Sequence, residues 1–302
     1  MNNKKIPRIS VVIPNYNRKE SILALLTDLY RQQSGRFEVI VVDDCSADGS
    51  VEAIEQQFPL VTLIRCEKNG GPCVARNRGI RVSRGEFVVG LDTDVTIPDP
   101  HLLEKVRAEF EARPDAAGFA FRILKPDGIS DDGPRWWHPA PIKQFADKMF
   151  ESSYFCGTAY AFRRVPLLDA GMYPEWLYMH YEEVVLSYRL LDKGCKLVYH
   201  PGLAVIHHAR PSSGDSVIDK YYTPRNQLLL AAACLPFWSA VIYMIPRFGF
   251  QFLKSLWRNS FHFWVRALLH GFQKITSGDF ERAPIKSETV QHLRMLRRQF
   301  QH

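Results

Sequence analysis

Four short apolar runs, each followed by a segment of helical period, constrain this chain more tightly than any other feature. Ile9 to Ile13, Val39 to Val42, Val61 to Arg65 and Phe87 to Leu91 read as strands, the first stopped by Pro14. Between them, Ser21 to Gln33 carries Ile22, Leu25, Leu26, Leu29 and Tyr30 at helical spacing, and Ser50 to Phe58 reads as a short helix. Another helix is entered through Gly70-Gly71-Pro72 and runs to Val82. Asp99 and Pro100 suit the N-cap and first position of a further helix reaching Ala112. Strands alternating with helices imply βαβ units and a mainly parallel sheet covered on both faces. Ligands of such sheets bind outside the carboxyl ends of the strands. Three polar clusters fall there: Asn15-Tyr16-Asn17-Arg18, Asp43-Asp44 and Asp92-Thr93-Asp94. The alternation therefore brings them to one edge.

Asp92-Thr93-Asp94 is the most specific of the three. Two carboxylates one residue apart at a strand mouth repel, and each raises the pKa of the other unless a positive charge lies between them. A divalent cation bridging to phosphate oxygens supplies that charge. The triad thus points to a metal–diphosphate site.

The second part of the chain is less regular. Ile123 to Ser153, rich in Pro, Gly, Asp and Trp, reads as a long loop, and long loops in compact domains are functional or mobile. Trp136-Trp137-His138 within it suits a platform for sugar rings and equally an anchor for the loop itself. Tyr154 to Arg163 returns as a strand. Glu182 to Lys193 reads as a helix stopped by Gly194, so Glu182 and Glu183 lie in its first turn, where the dipole favours any carboxylate. Lys196 to Tyr199 and Ala204 to Ile206 read as two short strands, the second ending at His207-His208.

Beyond Asp219 the character changes. No charged residue lies between Arg225 and Arg247, although Pro236 interrupts the apolar run. Arg247, Lys254, Arg258 and Arg266 then alternate with Phe and Trp. A basic, aromatic-rich helical stretch of this kind suits a membrane interface; a helical appendage packed on the preceding domain, or a span, has the same composition. The 302 residues suffice for one large domain, here expected over 1–225, with a helical basic-aromatic region over 226–302. A net charge of +7 suits an anionic partner, as it would any basic soluble protein. The six cysteines have no metal-knuckle spacing; Cys45, Cys66 and Cys195 lie in or beside core elements, and reduced, buried thiols are expected. The polar Met1 to Arg8 segment leads straight into the first strand, so a secretory signal is not expected.

Taken in order, these segments resemble the family-2 glycosyltransferases of the GT-A fold. The resemblance runs through Val11-Val12-Ile13-Pro14-Asn15-Tyr16-Asn17-Arg18, Val41-Val42-Asp43-Asp44-Cys45-Ser46, Asn69 to Gly79, Leu91-Asp92-Thr93-Asp94, Tyr181-Glu182-Glu183 and Ile206-His207-His208. Each piece alone is weak and the ordered set is specific. The tail, with Tyr222 and Arg225-Asn226, is similar to bacterial members that build rhamnose-containing or other cell-surface polysaccharides.

The resemblance implies a Rossmann-like α/β fold and inverting transfer of a sugar from a nucleoside diphosphate to an acceptor hydroxyl. It implies a saccharide or polyprenyl-linked saccharide acceptor, a membrane surface met by the C-terminal region, a position on the inner face of the cytoplasmic membrane, and no nucleic acid. Pro14, Asn15, Tyr16 and Arg18 match the loop that holds the nucleotide, and Asp43 or Asp44 the carboxylate that meets its base. Gly71 permits close approach to a helix start whose amides suit an anion. Arg76 matches, more loosely, a basic residue near the nucleotide. Asp92 and Thr93 face the donor, and Asp94 holds Mg²⁺ or Mn²⁺. His207 completes the metal or diphosphate site, with His208 as rival, and Ser212 sits where a serine often follows. Inverting transfer needs a base opposite the diphosphate. Family members commonly have Glu-Asp where this chain has Glu182-Glu183, so Glu183 is expected as base and Glu182 as a group that positions the acceptor. The extra methylene moves the carboxylate out by roughly 1.5 Å, and a misplacement near 1 Å costs about 10²-fold.

Other functions fit less well. No Gly-rich loop follows the first strand, against a nucleotidyltransferase, and no Gly-x-Gly-x-x-Gly, against a dehydrogenase. The tail's basic residues are interleaved with too much apolar surface to track a phosphate backbone. The Glu-Glu pair keeps open a transferase-like protein that binds a nucleotide sugar, or acts as a scaffold, with impaired catalysis.

Overall fold

The structure is a computed structural model that describes residues 8–208, 216–278 and 280–300, with the backbone alone at 217 and 218. Ser212 lies outside the described residues. The strands β1 (Ile9–Asn15), β2 (Phe37–Asp43), β3 (Thr62–Arg65) and β4 (Phe87–Leu91) pair in parallel in the order β3-β2-β1-β4. The helices α1 (Lys19–Tyr30), α2 (Ser50–Gln57) and α3 (Pro72–Val82) are the crossovers. Alternation in β1 divides the core. Val11 and Ile13 pack with Ile22, Leu25, Leu26 and Leu29 of α1. Val12 packs on the other face with Cys73, Ala75 and Ile80 of α3. Both faces are covered, as the uniformly apolar strands require. Each fully buried leucine of α1 contributes about 1.5–3 kcal/mol.

β1 runs two residues past its expected end. Its pairing with β4 stops at Val12, so Pro14 meets a partner only on the β2 side and its missing N–H breaks no ladder. The fourth helix starts later than Asp99-Pro100 suggests. Asp99 Oδ1 accepts the N–H of His101, and α4 begins at Leu102, after the two-residue strand β5 (Val95–Thr96), and ends at Ala112.

The remainder of the sheet comes from β6 (Ala116–Leu124), β7 (Phe150–Glu151), β8 (Ala159–Arg163) and β9 (Lys196–His207). β8 lies antiparallel between β4 and β6, and β9 runs parallel to β6. The carboxyl ends of β1, β2, β4 and β9 and the amino end of β8 therefore share one edge. Two expectations are corrected here. The two short strands expected near His207 are one strand, because Pro201-Gly202-Leu203 is taken up as a register shift against β6. The long loop contains α5 (Ile142–Phe145) and β7. After α6 (Arg164–Asp169), α7 (Glu182–Asp192) packs under the edge.

The tail forms α8 (Val217–Cys234), α9 (Phe237–Trp257), α10 (Phe261–Thr276) and α11 (Ser287–Arg298). Leu229 and Leu230 of α8 and Leu293 of α11 share a buried cluster with Leu186 and Leu190 of α7. The 225/226 boundary falls inside α8. Pro236 caps α9 rather than kinking a longer helix. Among the described residues, no helix is long and apolar enough to cross a membrane. All six cysteines are free; Cys66, Cys73, Cys156 and Cys234 are buried, but Cys45 is exposed and Cys195 half-buried.

Candidate active site

The shared edge opens into a cavity of about 260 Å³ lined by Arg76, Asp92, Arg135, Trp137, Glu182 and Glu183, among others. Arg76, on the second turn of α3, is its buried cation. Its Nη2 donates to Asp92 Oδ1 at 2.6 Å and to the Gly157 carbonyl at 3.3 Å, and its Nη1 lies 3.6 Å from Glu182 Oε1. The guanidinium also stands over the Tyr173 ring, 5.4 Å from its centroid. Burial opposes its charge, yet Asp92 and its other neighbours outweigh burial and raise its pKa further. Arg76 thus binds Asp92 and stands beside Glu182 in the wall of the cavity.

Gly157 permits close packing between Arg76 and Glu183. A Cβ there would come within 2.4 Å of Glu183 Oε1 and 3.2 Å of Arg76 Nη2. Its N–H donates to Glu183 Oε1 at 3.2 Å. Glu183 is half-buried on the cavity wall, whereas Glu182 is only 4% exposed, against Arg76. Burial first, then Glu183, pushes the Glu182 carboxyl up to about 8 against the pull of Arg76. Burial raises Glu183 as well, opposed by Arg76.

The segment entering α7 is strained. Tyr178, His180 and Tyr181 have φ of 68°, 68° and 70°, which costs such residues about 1–3 kcal/mol each. Buried Asn226 of α8 holds it: its Nδ2 lies within 3.2 Å of the carbonyls of Leu177, Met179 and His180. Arg225 donates to Trp176 O and Leu177 O, and Gln227 Nε2 to Tyr181 Oη. The middle of α8 therefore fixes the residues that present Glu182 and Glu183.

Asp94 and His207 meet beside the cavity. His207 is 2% exposed; its Nδ1 lies 2.9 Å from Asp132 Oδ2 and its Nε2 3.6 Å from Asp94 Oδ1. Burial and then Asp92 raise the Asp94 carboxyl, against His207 and Arg18. Asp132 was not singled out from sequence. A carboxylate behind a histidine fixes its tautomer and ring orientation. Among the described residues, no three acidic, histidine or cysteine side chains form a closed metal cage. His208 turns away to Thr96 Oγ1 at 2.8 Å and is exposed.

The other predicted residues sit further along the edge. Asp43 ends β2 and Asp44 follows it, two strands from β4, or roughly 10 Å at ordinary strand spacing; neither lines the cavity. Asp43 accepts from Asn15 Nδ2 and the Ser46 N–H, at 2.8 and 2.9 Å. Asp44 accepts from the N–H groups of Gly70 and Gly71, at 2.8 and 2.7 Å. Asp44 thus pins the Gly70-Gly71 turn that leads into α3. Gly71 has φ of +84°, and a Cβ there would strike the Tyr178 ring at 2.6 Å. Tyr16 is 49% exposed and Thr93 buried; Pro14 and Arg18 are half-buried. Trp136 and His138 pack inward on Tyr199 and Phe150. Trp137 is 48% exposed and stacks on Tyr154 at 5.6 Å, so the loop tryptophans divide between anchor and cavity wall.

A family model described as glycosyl transferase family 2 matches residues 10–170. The chain belongs to glycosyl transferase family 2. It is 36% identical over 132 residues to the succinoglycan biosynthesis protein ExoO of Rhizobium meliloti, an alignment covering 43% of this chain and 36% of ExoO. The chain spans about a third of the length of the curated relatives it matches first. Among solved structures, TarS 1–349 of Staphylococcus aureus in complex with UDP-GlcNAc superposes with a TM-score of 0.63 at 18% identity, over 97% of this chain and 91% of that one. The mannosyltransferase PcManGT of Pyrobaculum calidifontis, in complex with GDP-Man and Mn²⁺, gives 0.58 at 18% identity, over 99% and 82%. At such identity these structures speak for the fold, which is of the GT-A type.

Proposed function

We propose that the chain transfers a sugar, with inversion, from a nucleoside diphosphate to an acceptor hydroxyl in the assembly of a bacterial cell-surface polysaccharide or glycolipid. The observation that carries this reading is the convergence of Asp92, Arg76 and Glu183 on one cavity walled by Trp137. In the reaction the acceptor oxygen attacks the anomeric carbon as its bond to the diphosphate oxygen breaks. The electron pair leaves with the diphosphate, and the acceptor proton passes to Glu183. Burial supports that role, since a base with a raised pKa holds a proton better near neutrality. We assign Glu182 to bracing Arg76, and through it Asp92, instead of touching the acceptor. Trp137 offers its exposed face to the acceptor sugar. The nucleotide is assigned to Pro14, Asn15, Tyr16, Arg18, Asp43 and Asp44.

A divalent ion fits the Asp94–His207 pair. Asp94 is a raised carboxylate needing a positive partner, and His207 is oriented toward it by Asp132. Mg²⁺ and Mn²⁺ tolerate few protein ligands when phosphate oxygens and water complete the shell. The ion would neutralise charge on the departing diphosphate. Arg135, on the same cavity, adds a fixed cation.

Residues 1–225 are assigned to donor and acceptor chemistry, and 226–302 to attachment on the inner face of the cytoplasmic membrane. Trp238, Ile242, Ile245, Leu253, Leu256 and Trp257 of α9 are exposed, beside Arg247 and Lys254. An exposed apolar stripe with basic flanks is the pattern of an interfacial helix. The deciding experiment screens thermal shifts with a panel of nucleoside diphosphates, with and without Mn²⁺, and then assays transfer from the matching nucleotide sugar. A metal-dependent shift is expected, with transfer lost by 10²–10⁴-fold, as an order of magnitude, in Glu183→Gln. A shift without transfer in the wild type would leave only nucleotide-sugar binding.

A further inference from the structure

Tyr181 immediately precedes the two glutamates and breaks two local preferences at once. It is the N-cap of α7: its carbonyl accepts the Val185 N–H at 3.0 Å, yet its side chain caps nothing. Ser, Thr, Asp and Asn are the residues that favour this position. Its φ of 70° and ψ of −1° are left-handed, a region that a bulky side chain rarely adopts. Outliers of this kind persist where the surroundings over-determine them, and they gather at functional sites.

The ring of Tyr181 stands between two spaces. Trp137, Tyr154 and Tyr181 line the candidate active site and also a neighbouring cavity of about 290 Å³. With space on both sides, packing holds the Tyr181 ring less firmly, and the torsion about its Cβ–Cγ bond is intrinsically broad. Two directed contacts fix it. Its hydroxyl oxygen accepts from Nε2 of Gln227, a residue of α8 only 6% exposed, at 2.6 Å. Its ring meets the Trp137 indole at 5.6 Å between centroids and 70° between planes. The indole in turn stacks on Tyr154, with 19° between the planes, and donates from Nε1 to the Pro134 carbonyl of its own loop at 3.2 Å. Tyr181 is thus the contact that joins Trp137 to α7 and α8. Its ring touches the platform, and its backbone starts the turn that carries Glu183.

We propose that Tyr181 is a positioning residue that sets the face of Trp137 and the carboxylate of Glu183 in one fixed relation, with Gln227 as the buried anchor of its ring. A hydroxyl of a sugar lying on Trp137 is then presented to Glu183 at the distance that proton transfer requires. Tyr181 itself takes no proton; it acts through the two groups it aligns. The left-handed N-cap is what lets one residue serve both ends, since it fixes the entry of α7 and the direction in which the ring leaves the backbone. The inference rests on the transferase reading of the cavity and adds the group that keeps platform and base in register.

The test reads the platform first and the reaction second. The full chain is labelled with 5-fluorotryptophan, and the fluorine resonance of Trp137 is assigned among the six tryptophans by its loss in Trp137→Phe. Tyr181→Phe and Gln227→Met each remove the hydroxyl contact while keeping similar volume. Both are expected to shift or broaden the Trp137 resonance, and the double variant to add nothing beyond either single change, as one shared contact requires. Tyr181→Gly suits the left-handed backbone and loses the ring, so it should move the resonance further. In each variant the thermal shift with UDP, GDP or deoxythymidine diphosphate should stay at the wild-type value. The reaction is followed with p-nitrophenyl glycosides as acceptors and UDP-GlcNAc, UDP-glucose, GDP-mannose and deoxythymidine-diphospho-rhamnose as donors. Tyr181→Phe is expected to lower kcat by about 10- to 100-fold, the scale of a misplacement near 1 Å, with the donor KM unchanged. An unmoved Trp137 resonance in Tyr181→Phe and Gln227→Met, or wild-type kcat in both, would overturn the proposal. So would a loss of kcat matched by loss of the nucleotide thermal shift, which would reduce Tyr181 to a role in folding. Absence of any donor turnover in the wild type would instead strike the transferase reading, while the Trp137 resonance would still decide whether Tyr181 holds the platform.

Discussion

Arg76 Nη2 donates to Asp92 Oδ1 at 2.6 Å, from a side chain only 6% exposed. One buried cation therefore holds the first acid of the Asp92-Thr93-Asp94 triad and also stands 3.6 Å from Glu182. Removing a partner from a buried ion pair costs about 3–5 kcal/mol because the remaining charge stays behind. Arg76→Met should lower stability on that scale in urea denaturation and abolish transfer. Arg76→Lys should not rescue it, since one ammonium cannot reach both Asp92 and Glu182 with a planar fork. A melting curve and activity close to wild type in Arg76→Lys would show that the fork is dispensable.

Stability should fall as the solution becomes alkaline. The Glu182 carboxyl is pushed up to about 8 by burial and by Glu183, whereas its ordinary value is 4.5. Between these values the native state keeps a proton that the unfolded chain has released, so the unfolded state binds fewer protons there. The contribution is complete below the unfolded value and is lost as pH climbs toward the native one. The melting temperature of the wild type is therefore expected to decline from about pH 5 to about pH 8, and Glu182→Gln to flatten the decline. Parallel profiles for the two proteins would mean that Glu182 is already ionised in the native state.

His207 gains its orientation from Asp132, 2.9 Å from its Nδ1. Carboxylates in this position behind a metal-binding histidine typically carry 10–100-fold in affinity, as an order of magnitude. Asp132→Asn should weaken Mn²⁺ binding on that scale, read by titration in the presence of a nucleoside diphosphate. Asp94→Ala should abolish it, with the metal-free affinity for the nucleotide retained. Equal Mn²⁺ affinity in Asp132→Asn and wild type would reduce the pair to packing.

The sheet edge was legible from sequence where chemistry and chain connectivity coincide. Apolar β4 ends at Leu91 and an acid follows at once, so Asp92 had few other places to go. Asp132 was not legible, because it lies in a Pro- and Gly-rich loop and meets His207 across 75 positions. β6 was overlooked because it opens on Ala116-Ala117-Gly118, residues with little strand preference, and takes its place through pairing with β8 and β9. Glycine and proline have different outcomes at two places. Gly71-Pro72 does start a helix, but Pro201-Gly202 is absorbed into β9 because β6 continues on either side. Arg225-Asn226 could be seen as a feature of the tail. That Asn226 reaches three carbonyls ahead of α7 depends on α8 folding back, which local sequence does not encode.

The tail gives the last prediction. On α9, Trp238 and Leu253 are 74% and 64% exposed, and on α10 Leu269 and Phe272 are 57% and 55% exposed. Side chains this exposed contribute little to folding, and substituting them usually changes stability by no more than about 0.5 kcal/mol. At a membrane the same side chains would leave water, each worth about 1.5–3 kcal/mol if fully buried. Trp238→Glu/Leu253→Glu should therefore release the protein from anionic vesicles by at least about tenfold, while its melting temperature and nucleotide binding stay near wild type. The basic flanks add a second, separable effect. Wild-type binding should weaken with salt on phosphatidylglycerol vesicles and be weaker on phosphatidylcholine alone, because screening acts on the charges and leaves apolar burial in place. Sedimentation of the double variant with vesicles at the wild-type level would assign these side chains to contact with another protein surface.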